Sequence, residues 1–380
     1  MEGAAIHVQS GTAQEAGADV PVLPASPSRF VYVVTYGCQM NVYDSRRIVE
    51  ALAPLGYAET DVPARADLVL INTCSVREKP EQKVIGTVSR LKQLKVARPD
   101  VLLGVCGCMA QQHGQALLDR IPYLDLVFGL DALGDLPAIL AEAEAGRRRA
   151  STARMRRDAY EFPPIDPAFE PGPTAFLTIM KGCDKVCTYC IVPFVRGREV
   201  GKPFDRVLDE VRALVAGGVR EVTLLGQNVN AYGKDAPDGR RFPELLAAID
   251  AVPGLERLRF VTSHPADADV GMLTAFGRLR TVCEALHLPV QSGADRVLAR
   301  MRRGYTAAEY LDKVAILRAA CPDVALSTDF IVGFPGETRE DFEATLDLVR
   351  TVRFDSIFSF KYSPRPHTAA LRMEDDVPEA

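Results

Sequence analysis

Three cysteines fall within eight residues in the run Lys181-Gly-Cys183-Asp-Lys-Val-Cys187-Thr-Tyr-Cys190, and no other feature restricts the fold as much. Thiols so close in sequence meet on one metal centre only where the chain wraps around it as a loop. The run follows an apolar stretch, 176–180, that reads as a β-strand. A structural zinc site asks for four closed ligands, and the next cysteine, Cys283, is far along the chain. Three thiolates without a local fourth suit a 4Fe–4S cube whose remaining iron stays open to a small molecule. A zinc loop with a distant ligand, or an unrelated triplet, is the competing reading.

The chain has nine cysteines among 380 residues, an odd number and far below the density of a disulfide scaffold. Clustered thiols of this kind point to a reducing cytosol and to metal or redox chemistry, hence a cytoplasmic protein. No apolar window reaches the ~18 residues of a membrane span. Residues 1–28 lack the basic start and apolar core of a signal peptide and are expected to form a disordered leader. A net charge of −5 does not announce a nucleic-acid partner, so any such partner must be argued from local patches.

The length predicts two or three domains. From residue 29, β-branched and apolar runs at 30–35, 68–71, 101–105 and 126–128 alternate with helical-period stretches at 41–54, 77–97, 110–119 and 131–146. Such alternation with short loops means a doubly wound parallel sheet, placed at 29–147. Residues 148–172 read as a linker. Six arginines (Arg147, Arg148, Arg149, Arg154, Arg156 and Arg157) fall within eleven residues around its start, and a proline-dense stretch follows. A second alternation occupies 173–380, with strands expected at 176–180, 221–225, 257–262, 285–290, 325–332 and 356–362. Six repeats fall short of a closed eight-fold barrel, so a partial, open (β/α)6 barrel is expected.

The amino-terminal part carries a second set of cysteines. Cys38 follows the first strand, Cys74 the second and Cys108 the third. Residues at the carboxyl ends of neighbouring parallel strands lie close together, on the edge where open α/β sheets bind ligands. The expectation is a second three-thiolate 4Fe–4S cluster. A single buried cysteine is by default a small hydrophobe, and Cys283 and Cys321 are read that way. Cys106, two residues before Cys108, remains a rival ligand.

The motifs Y-G-C-Q-M-N, N-T-C-S-V-R, G-C-M-A-Q, K-G-C-D-K-V-C-T-Y-C, L-L-G-Q-N-V-N-A-Y-G, H-L-P-V-Q-S-G, T-D-F-I-V-G-F-P-G-E-T and Y-S-P-R-P-H-T occur in this order. The chain thereby resembles the radical S-adenosylmethionine methylthiotransferases, and within them the MiaB-type tRNA 2-methylthioadenosine synthases, over about 29–375. The resemblance implies a transferase that inserts a methylthio group at C2 of N6-isopentenyladenosine beside the tRNA anticodon. Cys183, Cys187 and Cys190 would hold the cluster that cleaves S-adenosylmethionine to the 5′-deoxyadenosyl radical. A second S-adenosylmethionine would give the methyl group, and the cluster on Cys38, Cys74 and Cys108 would carry the sulfur. A flavodoxin- or ferredoxin-type donor and a monomeric enzyme are expected. The family's carboxyl-terminal TRAM β-barrel, which binds RNA, is expected to be absent from these 380 residues.

S-adenosylmethionine is expected at the carboxyl ends of the barrel strands. Gln227, Asn228, Ser263 and Gln291 sit there, Asp329 lies within the fifth strand, Tyr189 is a candidate for the adenine, and Arg303 for the cofactor carboxylate. The linker arginines suit tRNA phosphates. No catalytic base is assigned. Rival readings are methylthiotransfer to threonylcarbamoyladenosine or to a ribosomal-protein aspartate, and, outside enzymes, a metal-binding RNA-binding redox sensor.

Overall fold

The computed structural model describes residues 28–75, 78–154, 160–170, 172–236, 238–374 and 377–378. The expected leader, save Ser28, lies outside these residues, as do Arg156 and Arg157 of the linker.

Six strands form the amino-terminal sheet: β1 (Arg29–Tyr36), β2 (Tyr57–Glu59), β3 (Leu68–Thr73), β4 (Leu102–Gly107), β5 (Leu126–Phe128) and β6 (Arg149–Ser151). Their order is β2-β1-β3-β4-β5-β6 and every pairing is parallel. β3 and β4 are buried at every position, which is why they read as continuous apolar runs rather than alternating ones. Side chains alternate between two cores. Leu68, Leu70, Leu102 and Phe128 pack on one face with α1 (Gln39–Leu52). Val69, Ile71, Leu103 and Val105 pack on the other with α2 (Glu78–Ala97), α3 (Cys108–His113) and α4 (Gln115–Arg120). α5 (Leu136–Glu144) returns to the first face. Helices on both sides of a parallel sheet make it doubly wound, and the chain changes direction between β1 and β3, where such sheets open a crevice at their carboxyl edge.

Three details depart from the sequence reading. β6 lies inside the expected linker and extends the sheet by a strand. β2 was not anticipated, because three residues carry no readable pattern. The stretch expected as one helix at 110–119 breaks at Gly114, whose φ of +46° starts a second helix.

The barrel begins at residue 174, and α6 (Val192–Arg196) closes the loop that follows its first strand. β7 (Thr174–Thr178) pairs with β10 (Glu221–Leu225), which pairs with β11 (Arg257–Phe260). β12 (Ala285–His287), β13 (Ala325–Val332) and β14 (Ser356–Lys361) form the other half. Leu258 joins the halves by backbone bonds to Thr281 (2.7 Å) and Cys283 (3.0 Å). The wall is therefore six parallel strands in chain order. A small antiparallel pair, β8 (Met180–Lys181) and β9 (Val200–Gly201), stands at one end. Helices α7 (Phe204–Ala216), α8 (Phe242–Asp250), α9 (Val270–Arg278), α10 (Asp295–Arg300), α11 (Ala307–Ala320) and α12 (Arg339–Val352) connect the strands, and most of their apolar faces join a single core with them. Thr306 and Thr338 open α11 and α12 as capping boxes with Glu309 and Asp341. Among the described residues no helix is long and apolar enough to cross a membrane.

Candidate metal centres

All nine cysteines are thiols, none in a disulfide. Cys38 is the N-cap of α1, Cys74 follows β3, and Cys108 is the first residue of α3. Two glycines with left-handed backbone let these loops turn inward. A Cβ on Gly37 would meet Asn41 Oδ1 at 2.3 Å and Cys74 Cβ at 2.7 Å, and one on Gly107 would meet Asn72 Oδ1 at 2.3 Å. Asn72 ties the loops together, its Nδ2 donating to Asn41 O (2.8 Å) and Ser45 Oγ (2.9 Å).

The topology brings the three sulfurs to one place, with Cys74 in hydrogen-bond reach of both Cys108 and Cys38. The Cys74 thiol, helped by the Arg196 guanidinium, holds Cys38 down at about 6 and Cys108 at about 7, against the opposing pull of burial. Cys74 itself is driven far up by those two neighbours. Three thiols packed so closely cannot all ionise without added positive charge, and a ligated metal supplies it, since a coordinating thiol is deprotonated.

Cys106 does not join them. It is fully buried in the core beneath the sheet with Leu70 and Phe128, and burial raises its thiol. The two-residue strand spacing does not carry over to Cys108, because β4 ends at Gly107 and Cys108 already belongs to α3.

The second set lies in the loop between β8 and α6. Gly182, with φ +75°, lets the loop turn against Arg198 O, and Cys183 N donates to Gly197 O at 3.1 Å. Thr188 fastens the far side through Met301 O (3.1 Å) and Arg300 O (3.0 Å). Burial, and then the neighbouring cysteines, push Cys183 and Cys190 up to about 12. Cys187 Sγ has Arg303 Nη1 at 3.4 Å and His264 Nε2 at 3.9 Å. Among the described residues no three His, Cys, Asp or Glu groups close on one point as a single metal ion would require. A cube makes a looser demand, since each thiolate takes a separate iron corner.

The strand ends beside this loop carry the anticipated polar residues. Gln227 Nε2, Asn228 Oδ1, Ser263 Oγ and Gln291 Oε1 are buried without a hydrogen-bond partner. Buried polar atoms are normally paired, so four of them after β10, β11 and β12 outline the bed of a polar ligand. Gln291 holds a φ of +76°, a strained conformation for a residue with a side chain. The other halves of the Gln227 and Asn228 amides are engaged beside the cysteine loop, Asn228 through Glu199 and Asp267, which hold Asp184 N (3.1 Å) and Lys185 (2.8 Å) of that loop. Gln227 Oε1 accepts from Gly182 N, and Asn228 Nδ2 donates to Asp267 (2.8 Å) and Glu199 (3.1 Å). Tyr189 packs edge-on against Phe334, with ring centroids 6.5 Å apart. Asp329 stands 3.5 Å from His287 Nε2 within β13.

Two groups of anticipated residues already have partners within the chain. Arg303 is not an open fork awaiting a carboxylate: besides Cys187 it donates to Tyr189 OH (3.3 Å), Tyr305 OH (3.0 Å) and Pro289 O (2.8 Å). The arginines expected at tRNA phosphates are placed differently from one another among the described residues. Arg148 caps the carbonyls of Leu124 (2.7 Å) and Ile121 (2.9 Å), and Arg149 pairs with Glu142 at 2.6 Å. Both are consumed in closing β6 onto its sheet. Arg147 is exposed, and Arg154 donates to Pro193 O at 3.4 Å.

Sequence reasoning missed the charges that join the two cysteine sets. Lys181 pairs with Asp131, and Arg196 pairs with Asp44 at 2.6 Å while its Nε donates to Cys108 Sγ at 3.1 Å. Each pair links the barrel to the amino-terminal sheet. The only signal for Arg196 was its place in the V-P-F-V-R-G-R-E extension of the cysteine motif.

An open six-stranded barrel with a three-cysteine loop after its first strand is the architecture of a radical S-adenosylmethionine enzyme. The model of the Radical SAM superfamily matches residues 177–349, and that of "Uncharacterized protein family UPF0004" matches 30–129. A tRNA-2-methylthio-N(6)-dimethylallyladenosine synthase from Geobacter sulfurreducens is 51% identical over 92% of this chain and 78% of its own. Another, from Cereibacter sphaeroides, is 52% identical over 91% and 78%. The chain belongs to this family of synthases. In fold it is also similar to the radical S-adenosylmethionine methyltransferase TsrM from Kitasatospora setae, with a TM-score of 0.61 at 16% identity over 87% of this chain and 73% of that one. The cobalamin-dependent S-adenosylmethionine radical enzyme OxsB gives 0.58 at 14% identity over 90% and 54%.

Proposed function

We propose that the chain is a radical methylthiotransferase that replaces the C2 hydrogen of N6-isopentenyladenosine in tRNA by a methylthio group. The observation that carries this reading is the seam where Cys108 of one cysteine set packs on Ile191, Val195 and Arg196, just beyond the other set, in a chain half identical to synthases of this modification over nine-tenths of its length. When bound, two 4Fe–4S clusters and S-adenosylmethionine supply the electron, the carbon radical, the sulfur and the methyl group. An unactivated ring C–H bond requires such chemistry, because no side-chain base removes that hydrogen.

The chain's residues do the rest. Cys183, Cys187 and Cys190 would hold one cluster, and Cys38, Cys74 and Cys108 the other. Gln227, Asn228, Ser263 and Gln291 would offer their unpartnered atoms to S-adenosylmethionine, and Tyr189 would bind its adenine. Arg303 orients Cys187 and Tyr189 together. His264 Nδ1 accepts from Ala266 N at 3.2 Å, so its proton sits on Nε2 toward Cys187. Burial lowers its pKa. A small one-electron carrier of the flavodoxin or ferredoxin class is the reductant that fits, acting on a monomer.

The test is nucleoside mass spectrometry after anaerobic reaction of the iron-loaded protein with S-adenosylmethionine, reductant and tRNA bearing N6-isopentenyladenosine. The methylthio nucleoside and 5′-deoxyadenosine are expected together. Product only from tRNA bearing threonylcarbamoyladenosine would move the chain to the sister activity. Absence of 5′-deoxyadenosine with every substrate would refute the radical reading.

A further inference from the structure

The Arg196–Asp44 pair is buried where an apolar contact would close the seam equally well. Ile191 and Val195 of the barrel already pack against Cys108, all three nearly inaccessible. Arg196 and Asp44 expose only 9% and 10% of their side chains. Buried ion pairs contribute little net stability over apolar residues of the same volume, so stability does not account for the pair. Its geometry is specific. Asp44, one turn and a half into α1 behind Cys38, takes Nη2 of the guanidinium at 2.6 Å and leaves Nε aimed at Cys108 Sγ at 3.1 Å. The donor comes from α6, which begins two residues after Cys190.

We propose that Arg196 is a positioning residue of the amino-terminal sulfur site: a barrel-borne guanidinium, clamped by Asp44, that donates to the ligand sulfur of Cys108 and sets the reduction potential of the cluster held there. The inference rests on the proposed function, since it presumes that Cys38, Cys74 and Cys108 hold a cluster. Hydrogen bonds and positive charge at a ligand sulfur stabilise the more negative, reduced form and raise the potential. Asp44 opposes part of that charge. The two residues should therefore act with opposite sign, a pattern that a purely structural bridge between the two layers does not produce.

The test uses the full chain with Cys183, Cys187 and Cys190 all changed to alanine, so that one cluster remains, and reads its midpoint potential by redox titration monitored by electron paramagnetic resonance. Arg196→Met is expected to bind the same iron as this parent and to shift the potential negative. Arg196→Lys, which keeps charge but not the fork, should recover part of the shift. Asp44→Asn, which leaves the guanidinium uncompensated, should shift the potential positive. A potential unchanged in Arg196→Met at full iron overturns the inference alone. If Arg196→Met fails to load, the Asp44→Asn titration decides, and a zero or negative shift there overturns it. A parent that binds no iron overturns the proposed site and the inference with it.

Discussion

Gly107 shows how little room single residues have at the sulfur site. Its φ of +87° and the 2.3 Å approach of Asn72 Oδ1 leave no place for a side chain, and Asn72 is itself committed to Asn41 and Ser45. Gly107→Ala should cost about 1–3 kcal/mol through backbone strain and should displace Cys108, the next residue. The expected outcome is loss of about half the bound iron with 5′-deoxyadenosine formation retained, checked by iron assay and chromatography of the nucleoside. The positions of the six cysteines, in a loop or at strand ends, were legible at this scale because spacing and strand ends are written in the sequence. Arg196 and Asp44 were not, since their meeting depends on how the barrel docks against the sheet across 152 residues of chain.

Among elements, α1 binds the molecule together. Its Arg47 is almost wholly buried, pairs with Glu50 at 2.6 Å and Glu170 at 2.5 Å, donates to Pro164 O at 3.2 Å, and lies over the Tyr43 ring. One guanidinium thus ties α1 to the segment leading into the barrel. Removing it strands two partly buried acids, and Arg47→Ala should destabilise by about 3–5 kcal/mol in chemical unfolding. Burial already raises the pKa of Glu50 and Glu170 while Arg47 lowers it, so both rise further in the variant. An acid whose folded pKa is raised penalises the fold only while ionised, so the deficit should narrow as pH falls through the raised carboxylate range. A deficit that stays constant or widens toward acid would contradict this assignment. Elements were legible in proportion to length and burial. β1, β3 and β4 stand out as apolar runs, whereas β6 (Arg-Ala-Ser) and the pair β8 and β9 owe their strand form to neighbours. The strand expected at 285–290 stops at His287, and Gln291 reaches its neighbour only through an isolated bridge to Phe330.

At the scale of the whole molecule, the loops leaving the carboxyl ends of two parallel sheets meet. Met40 and Tyr43 of α1 pack on Leu225 at the end of β10, and Thr178 Oγ1 reaches Met40 Sδ at 3.8 Å. Lys181–Asp131 and Arg196–Asp44 close the same seam beside the two cysteine loops. Each loop by itself is a familiar kind of ligand edge; joined, they form the seam on which the proposed function needs a radical source and a sulfur carrier to act on one substrate. That joint arrangement is the centre of the account, and it makes a count. Anaerobically prepared protein should bind about eight irons and eight sulfides per chain, two cubes' worth. Changing Cys38, Cys74 and Cys108 to alanine should leave about four, as should changing Cys183, Cys187 and Cys190, with only the second set abolishing 5′-deoxyadenosine. About four irons in the unaltered protein, or a full complement surviving either triple substitution, would contradict it.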